Sequence, residues 1–196
     1  MSTITTQLRQ PRAGERATAD EFYNMDDAAG FELVDGVIVE KNVSIDSCDI
    51  GQVVSTIFGI YMLEHGNIRS YSSEMGFQCF DHPNTIRKPD VSVVAINRVR
   101  ELPDKLAGYM PIVPDLAVEV MSKNDRRNEM LDKVADYHDA GFPLVWVLFP
   151  RQRQLEVHPL EGDMLTLTGD DTVPAPPCMP GFTAKVADFF AGVPTD

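Results

Sequence analysis

Leu116-Ala117-Val118-Glu119-Val120-Met121, Ser122-Lys123-Asn124-Asp125, a helical stretch from about Arg126 to Ala140, and Leu144-Val145-Trp146-Val147-Leu148-Phe149 follow one another in the second half of the chain. The two apolar runs are short, bounded by turn residues and rich in valine, which reads as buried strand. Between them Met130, Val134 and Tyr137 form an apolar stripe at helical spacing. Ser122 to Asp125 offers N-cap residues, and Gly141 with Pro143 stops the helix. A β-helix-β unit of this kind predicts an α/β core of three layers, a mixed central sheet flanked by helices.

Upstream, Asp90–Ile96 is a strand rich in β-branched residues, preceded by a polar turn at Asp81-His82-Pro83-Asn84 and by strand candidates at Ile68–Tyr71 and Glu74–Phe80. From Asp46 to Glu64 the residues Ile50, Val53, Val54, Ile57, Phe58, Tyr61 and Met62 recur at helical spacing, and His65-Gly66 supplies a stop. Phe31–Val39 is a hairpin around Asp35-Gly36, whose residues tolerate positive φ. Thr18 and Glu21 carry the spacing of a capping box at the start of a short helix. Downstream, Leu155–His158 pairs back on Leu144–Phe149 across Pro150-Arg151-Gln152-Arg153, and Met164–Thr168 adds an edge strand. The proline-rich run Val173–Pro180 is irregular, and Val186–Phe190 docks through Phe189 or Phe190. The reading is therefore a loose polar arm over 1–17, one domain over 18–190 and a tail over 191–196.

With 43% hydrophobic and 24% charged residues, the 196-residue chain can build one core without disulfides. Cys48, Cys79 and Cys178 have no zinc spacing and read as reduced thiols. No secretory leader opens the sequence and no apolar run approaches the roughly 20 residues of a membrane span, which points to the cytoplasm. The net charge of −13 argues against a protein that coats nucleic acid. The charge is uneven, however: Arg87 to Lys133 holds nine Lys/Arg against eight Asp/Glu, so the remainder carries −14.

Two acids interrupt apolar strands. Asp90 shares a strand face with Ser92 and Val94, and Glu119 with Ala117 and Met121. A lone buried carboxylate costs several kcal/mol, so each calls for a cation. Hard divalent ions such as Mg²⁺ take carboxylate oxygens, bind phosphates and activate water. Lys133 borders the apolar stripe of the following helix and can reach back to offset phosphate charge. The alternatives are plain: Asp90 as a satisfied strand start, Glu32 as a solvent-facing hairpin residue, and Lys133 as a surface partner of Glu129 four residues earlier. Glu74 reads as solvated, Tyr137 and Trp146 as core, and the four histidines share no ligand spacing.

Phe31-Glu32-Leu33-Val34-Asp35-Gly36, Glu74-Met75-Gly76-Phe77, Lys88-Pro89-Asp90-Val91-Ser92, Pro114 to Ser122, and Lys133 to Tyr137 with Gly141 and Trp146 together resemble the Uma-two family of restriction-endonuclease-like proteins, within the PD-(D/E)XK nuclease superfamily. The resemblance runs from about Thr18 to Phe190. It implies a restriction-endonuclease-like fold in which Asp90 and Glu119 bind a divalent metal, Mg²⁺ or Mn²⁺, and Glu32 completes the acidic cluster as a further ligand. The superfamily lysine usually stands two residues after the glutamate, where this chain has Met121; similar family members supply it from the next helix, at the position of Lys133. Similar proteins often carry a histidine near the start of the long helix, where this chain has Ser47-Cys48-Asp49. The activity implied is hydrolysis of DNA phosphodiester bonds, by a homodimer because two strands need two sites, with Arg87, Lys88, Lys123, Arg126 and Arg127 as a phosphate-attracting rim. Two other classes stay open: an interaction module that kept the fold without cleavage, favoured by Met121 and the acidic surface, and a small-molecule phosphoesterase, whose binding would not weaken steeply with salt.

Overall fold

The structure, a computed structural model, describes residues 9–103 and 108–193; residues 1–8 of the arm and 194–196 of the tail lie outside them. Ile45–His65 forms the long helix α2, after a short α1 over Ala19–Tyr23. Ser44 caps α2 by accepting from the Ser47 N–H, and Gly66 ends it in the left-handed conformation at φ 68°. Ile50, Val54, Phe58 and Tyr61 are its buried stripe, as the spacing predicts. Each such side chain stabilises by roughly 1.5–3 kcal/mol when fully buried.

Six strands form the central sheet in chain order: β3 (Ile68–Ser72), β4 (Val91–Ala95), β5 (Leu116–Val120), β6 (Leu144–Phe149), β7 (Gln154–Pro159) and β8 (Leu165–Thr168). Only β5 and β6 are parallel, and the helix between them is α4, Arg127–Asp139; a short α3, Ile96–Arg100, follows β4. One sheet face packs Val91, Val93, Val118, Val120 and Trp146 against α2 and the C-terminal segment, including Phe189 and Phe190. The other packs Ala117, Val145 and Val147 against Met130, Val134 and Tyr137 of α4. These are the three layers expected. No helix among the described residues is long and apolar enough to cross a membrane.

The hairpin β1 (Phe31–Val34) and β2 (Val37–Glu40) turns at Asp35 and Gly36, φ 50° and 75°, the pair of left-handed residues a two-residue turn needs. It stays outside the main sheet as a two-stranded unit, bridged at Leu33 to Ile86 and packed on Phe22 of α1. Thr18 and Glu21 form the capping box read from the sequence. Gly14, Glu15 and Ala17 hydrogen-bond to Ile38 and Gly36, so the inner end of the 1–17 arm is held on the hairpin.

Two local expectations fail. Glu74–Phe80 is not a strand: the Ser72–Met75 turn leads the chain off β3, and Phe77 alone bridges to Arg87 and Met110. Gly76 lies against the Tyr109 ring, where a Cβ would come within 2.4 Å, so this strip is fixed by a close approach instead of a ladder. Ser122 to Asp125 do not cap α4: the Ser122 N–H donates to Asp125 Oδ2 at 2.6 Å in a closed turn of their own, and the N-cap is Arg126.

Candidate active site

Asp90 ends the extended approach to β4, and Glu119 lies in β5, one step beyond the Val91–Val118 pair. Adjacent antiparallel strands thus place both acids at the same level of the sheet. The join is tight, because the Val120 N–H donates to Asp90 Oδ2 at 2.9 Å. Glu119 projects onto the α4 face with Ala117, and there Tyr137 Oη donates to Glu119 Oε1 at 2.6 Å. One turn back on α4, Lys133 Nζ stands 2.9 Å from the same oxygen and 3.1 Å from Glu32 Oε1. No ion pair joins Lys133 to Glu129 among the described residues; Glu129 pairs with Arg126. Sequence separation across the Glu32, Asp90, Glu119 and Lys133 group is large, and the fold brings all four together around one cleft of about 330 Å³.

The charges divide unequally. Glu32 is buried, yet both of its oxygens are engaged: Oε1 accepts from the Lys88 N–H at 2.7 Å and from Lys133, and Oε2 accepts from Arg87 at 3.1 Å. Burial opposes its ionisation, but Lys133, Arg87 and Lys41 outweigh that and hold it down at about 2. For Glu119 burial wins: its carboxyl is raised, with Lys133 opposing and Asp90 adding to the shift. Lys133 itself is raised, since Glu119 and Glu32 outweigh the burial that would discharge it. It is a permanently charged ammonium at neutral pH.

Several partners escaped the sequence reading. Lys41, just past β2, donates to Asp90 Oδ1 at 3.0 Å and to the Lys88 carbonyl at 2.7 Å. Arg87, expected only as rim, is an inner cation paired with both Glu32 and Asp136. Lys88 is not rim either: it is buried, with Nζ on the Ala28 carbonyl at 2.6 Å and over the Phe22 ring. Tyr137 is core, as read, but its hydroxyl also serves Glu119. Lys123, Arg126 and Arg127 remain exposed, and Glu74, exposed as read, borders a neighbouring cavity with Lys41 and Asp90 but makes no ion pair among the described residues.

The donor set can be tested against a hard cation. No group of three His, Cys, Asp or Glu side chains suited to a metal occurs among the described residues. Asp90 and Glu119 nonetheless both line the cleft, and Glu119 Oε2 takes part in no hydrogen bond among the described residues. Two carboxylates suit Mg²⁺, which keeps several waters and fills its shell with substrate oxygens. Glu32 lines the same cleft but fits less well as a ligand, because its oxygens hold two cations and an N–H where those of Asp90 hold one cation and an N–H.

A family model described as "Putative restriction endonuclease", Uma2, matches residues 19–187. The chain belongs to the Uma2 family. Its fold is that of a solved neighbour, a crystal structure described as a putative nuclease belonging to DUF820 from Anabaena variabilis ATCC 29413. The two share a TM-score of 0.76 and 18% identity over 89% of this chain and 97% of the other. No curated protein matched. The restriction-endonuclease-like core expected of a Uma2 chain is thus present, with its mixed sheet and flanking helices.

Proposed function

We propose that this chain is a Mg²⁺-dependent endonuclease, with Mn²⁺ as a substitute, that hydrolyses phosphodiester bonds in DNA. Asp90 and Glu119 are the metal ligands, Lys133 the electrostatic partner of the attacking water and scissile phosphate, and Glu32 their support. The observation that carries this reading is the convergence of two carboxylates from neighbouring strands with one lysine from the next helix, in a cleft open to substrate. When bound, a hard divalent cation supplies Lewis acidity toward phosphate oxygens and acidifies water. Lys133 donates charge and hydrogen bonds without taking a proton, because its raised pKa keeps it protonated. Glu32 and Arg87 fix the position of that ammonium, and Tyr137 fixes the rotamer of Glu119. The deciding experiment is cleavage of plasmid and single-stranded DNA with Mg²⁺ or Mn²⁺ by the native chain and by Asp90→Ala, Glu119→Ala and Lys133→Ala. Metal-dependent nicking lost in all three variants is the expected result.

A second reading, a non-catalytic interaction module, is favoured by Lys41. An ammonium 3.0 Å from Asp90 Oδ1 competes with a metal for that oxygen. Absence of cleavage in every condition, with DNA or protein binding intact, would establish it instead.

A further inference from the structure

Past Asp125 the cleft continues into a second cavity of about 450 Å³ over the C-terminal ends of β5 and β6. Asp125 lines both spaces, which places the second cavity beside the one that Asp90 and Glu119 line. Three cations border it, Lys123, Arg127 and Arg151, in a chain whose net charge is −13. Lys123 and Arg151 are exposed and make no ion pair among the described residues. Arg127 is already oriented: its guanidinium donates to the buried Glu156 at 2.6 Å and lies 4.9 Å over the Phe149 ring. The acids on the wall are partly spent. Asp125 Oδ2 accepts from the Ser122 N–H and Oδ1 from Asn42 Nδ2 at 2.9 Å, while Asp46 sits in the first turn of α2, where the helix field favours it.

The backbone adds donors of its own. The 13-residue α4 begins at this wall with no side-chain cap on its first turn, leaving N–H groups suited to an anion. Gln152 brings a neutral amide to the same space, where Gln154 Nε2 already donates to Glu156 Oε1 at 3.0 Å. Converging cations, free helical N–H groups and no deep apolar socket describe a seat for a phosphate. A carboxylate would be served by one arginine.

We propose that this cavity is a phosphate subsite, in which Lys123, Arg127 and Arg151 seat the backbone phosphate neighbouring the scissile one on a bound nucleic-acid strand. The assignment rests on the nuclease reading for its substrate, but not for the binding itself. It gives the strand a fixed direction through the cleft and supplies locally the attraction that the acidic surface withholds.

The test uses the full chain and Lys123→Ala/Arg151→Ala, both exposed positions, with Arg100→Ala as an exposed control outside the cavity. Binding of a fluorescent oligodeoxynucleotide is followed by anisotropy across a salt series with Ca²⁺ replacing Mg²⁺, and cleavage kinetics are measured with Mg²⁺. The double variant is expected to bind roughly tenfold more weakly near 0.1 M salt and to lose about one unit of salt slope in all, the share of the one phosphate that the cavity seats. KM rises and kcat holds. Unchanged affinity and slope alongside native cleavage overturn the subsite and leave the nuclease reading intact. If the native chain neither binds nor cuts DNA, the nuclease reading fails, and thymidine 5′-monophosphate titrated into both proteins decides the subsite: binding lost in the double variant retains it, and binding absent or equal in both rejects it.

Discussion

Replacing Lys133 by Met isolates the electrostatics of the site from its packing. The side chain is 14% exposed, and its ammonium is shared by two carboxylates that are 4% and 3% exposed. Methionine conserves most of the stem volume, so lost packing costs under about 1.5 kcal/mol. The charge matters more. Removing one partner of a buried pair costs about 3–5 kcal/mol when the remaining ion stays charged. Glu32 keeps Arg87 and the Lys88 N–H, so the burden falls on Glu119, whose remaining donor is Tyr137. Glu119 already has a raised carboxyl pKa and escapes by taking a proton. A carboxyl with a folded pKa above its unfolded one binds more protons folded than unfolded, so stability falls as pH rises through that window. Without Lys133 the folded value climbs further and the window widens upward. The expected loss is therefore about 3 kcal/mol at pH 8 and smaller at pH 5.5, where Glu119 takes up its proton more readily. Urea unfolding, read by the single buried Trp146, measures both. Glu119→Gln/Lys133→Met should recover about 2 kcal/mol relative to additivity at pH 8. Equal losses at the two pH values, with no coupling in the double variant, would refute the assignment of Lys133 as the counter-ion of Glu119.

Lys41→Met removes the ammonium on Asp90 and should tighten Mn²⁺ binding about tenfold, or about 1.4 kcal/mol, by calorimetric titration; weaker binding would mean that Lys41 holds Asp90 in position. Tyr137→Phe deletes a buried hydroxyl donor to Glu119 and should cost about 1.5–3 kcal/mol in chemical unfolding, with the shape of the ring retained. Glu32, held at about 2, contributes stability that is fully present above its unfolded pKa of about 4.3 and is lost as pH falls toward 2. Glu32→Gln should accordingly flatten the stability profile between pH 5 and 2 and lower the plateau at neutral pH.

The sequence makes Asp90 and Glu119 conspicuous because each interrupts an apolar strand, and a buried charge cannot be incidental at its cost. Lys133 is legible for a related reason, since the helical stripe that buries Val134 and Tyr137 leaves its neighbour at the edge of the sheet. Lys41 carries no such mark. It follows β2 in a loop without periodicity, and its role depends on that loop crossing to Asp90, a contact between residues 49 apart. The hairpin was readable as a hairpin, from Asp35-Gly36, but its exclusion from the main sheet depends on Leu33 bridging Ile86, which no local pattern encodes. Glu74–Phe80 misleads because β-favouring residues describe an extended strip equally well whether or not a neighbour runs alongside it.

The position of α4 connects the two halves of the cleft. Across the sheet Glu119 pairs with Val147, and Val147 with Glu156, so the two buried glutamates share one face, two strand spacings or about 9.6 Å apart. Each receives a cation from α4: Lys133 for Glu119 and Arg127 for Glu156. Six residues of helix rise about 9 Å, which matches that separation. The helix is thereby tied to the sheet at two acids. Arg127 borders the phosphate cavity and Lys133 the carboxylate cleft. A chain of net charge −13 therefore presents positive groups to both spaces along one helix, and Glu156, though it lines neither space, holds Arg127 at one end of that line.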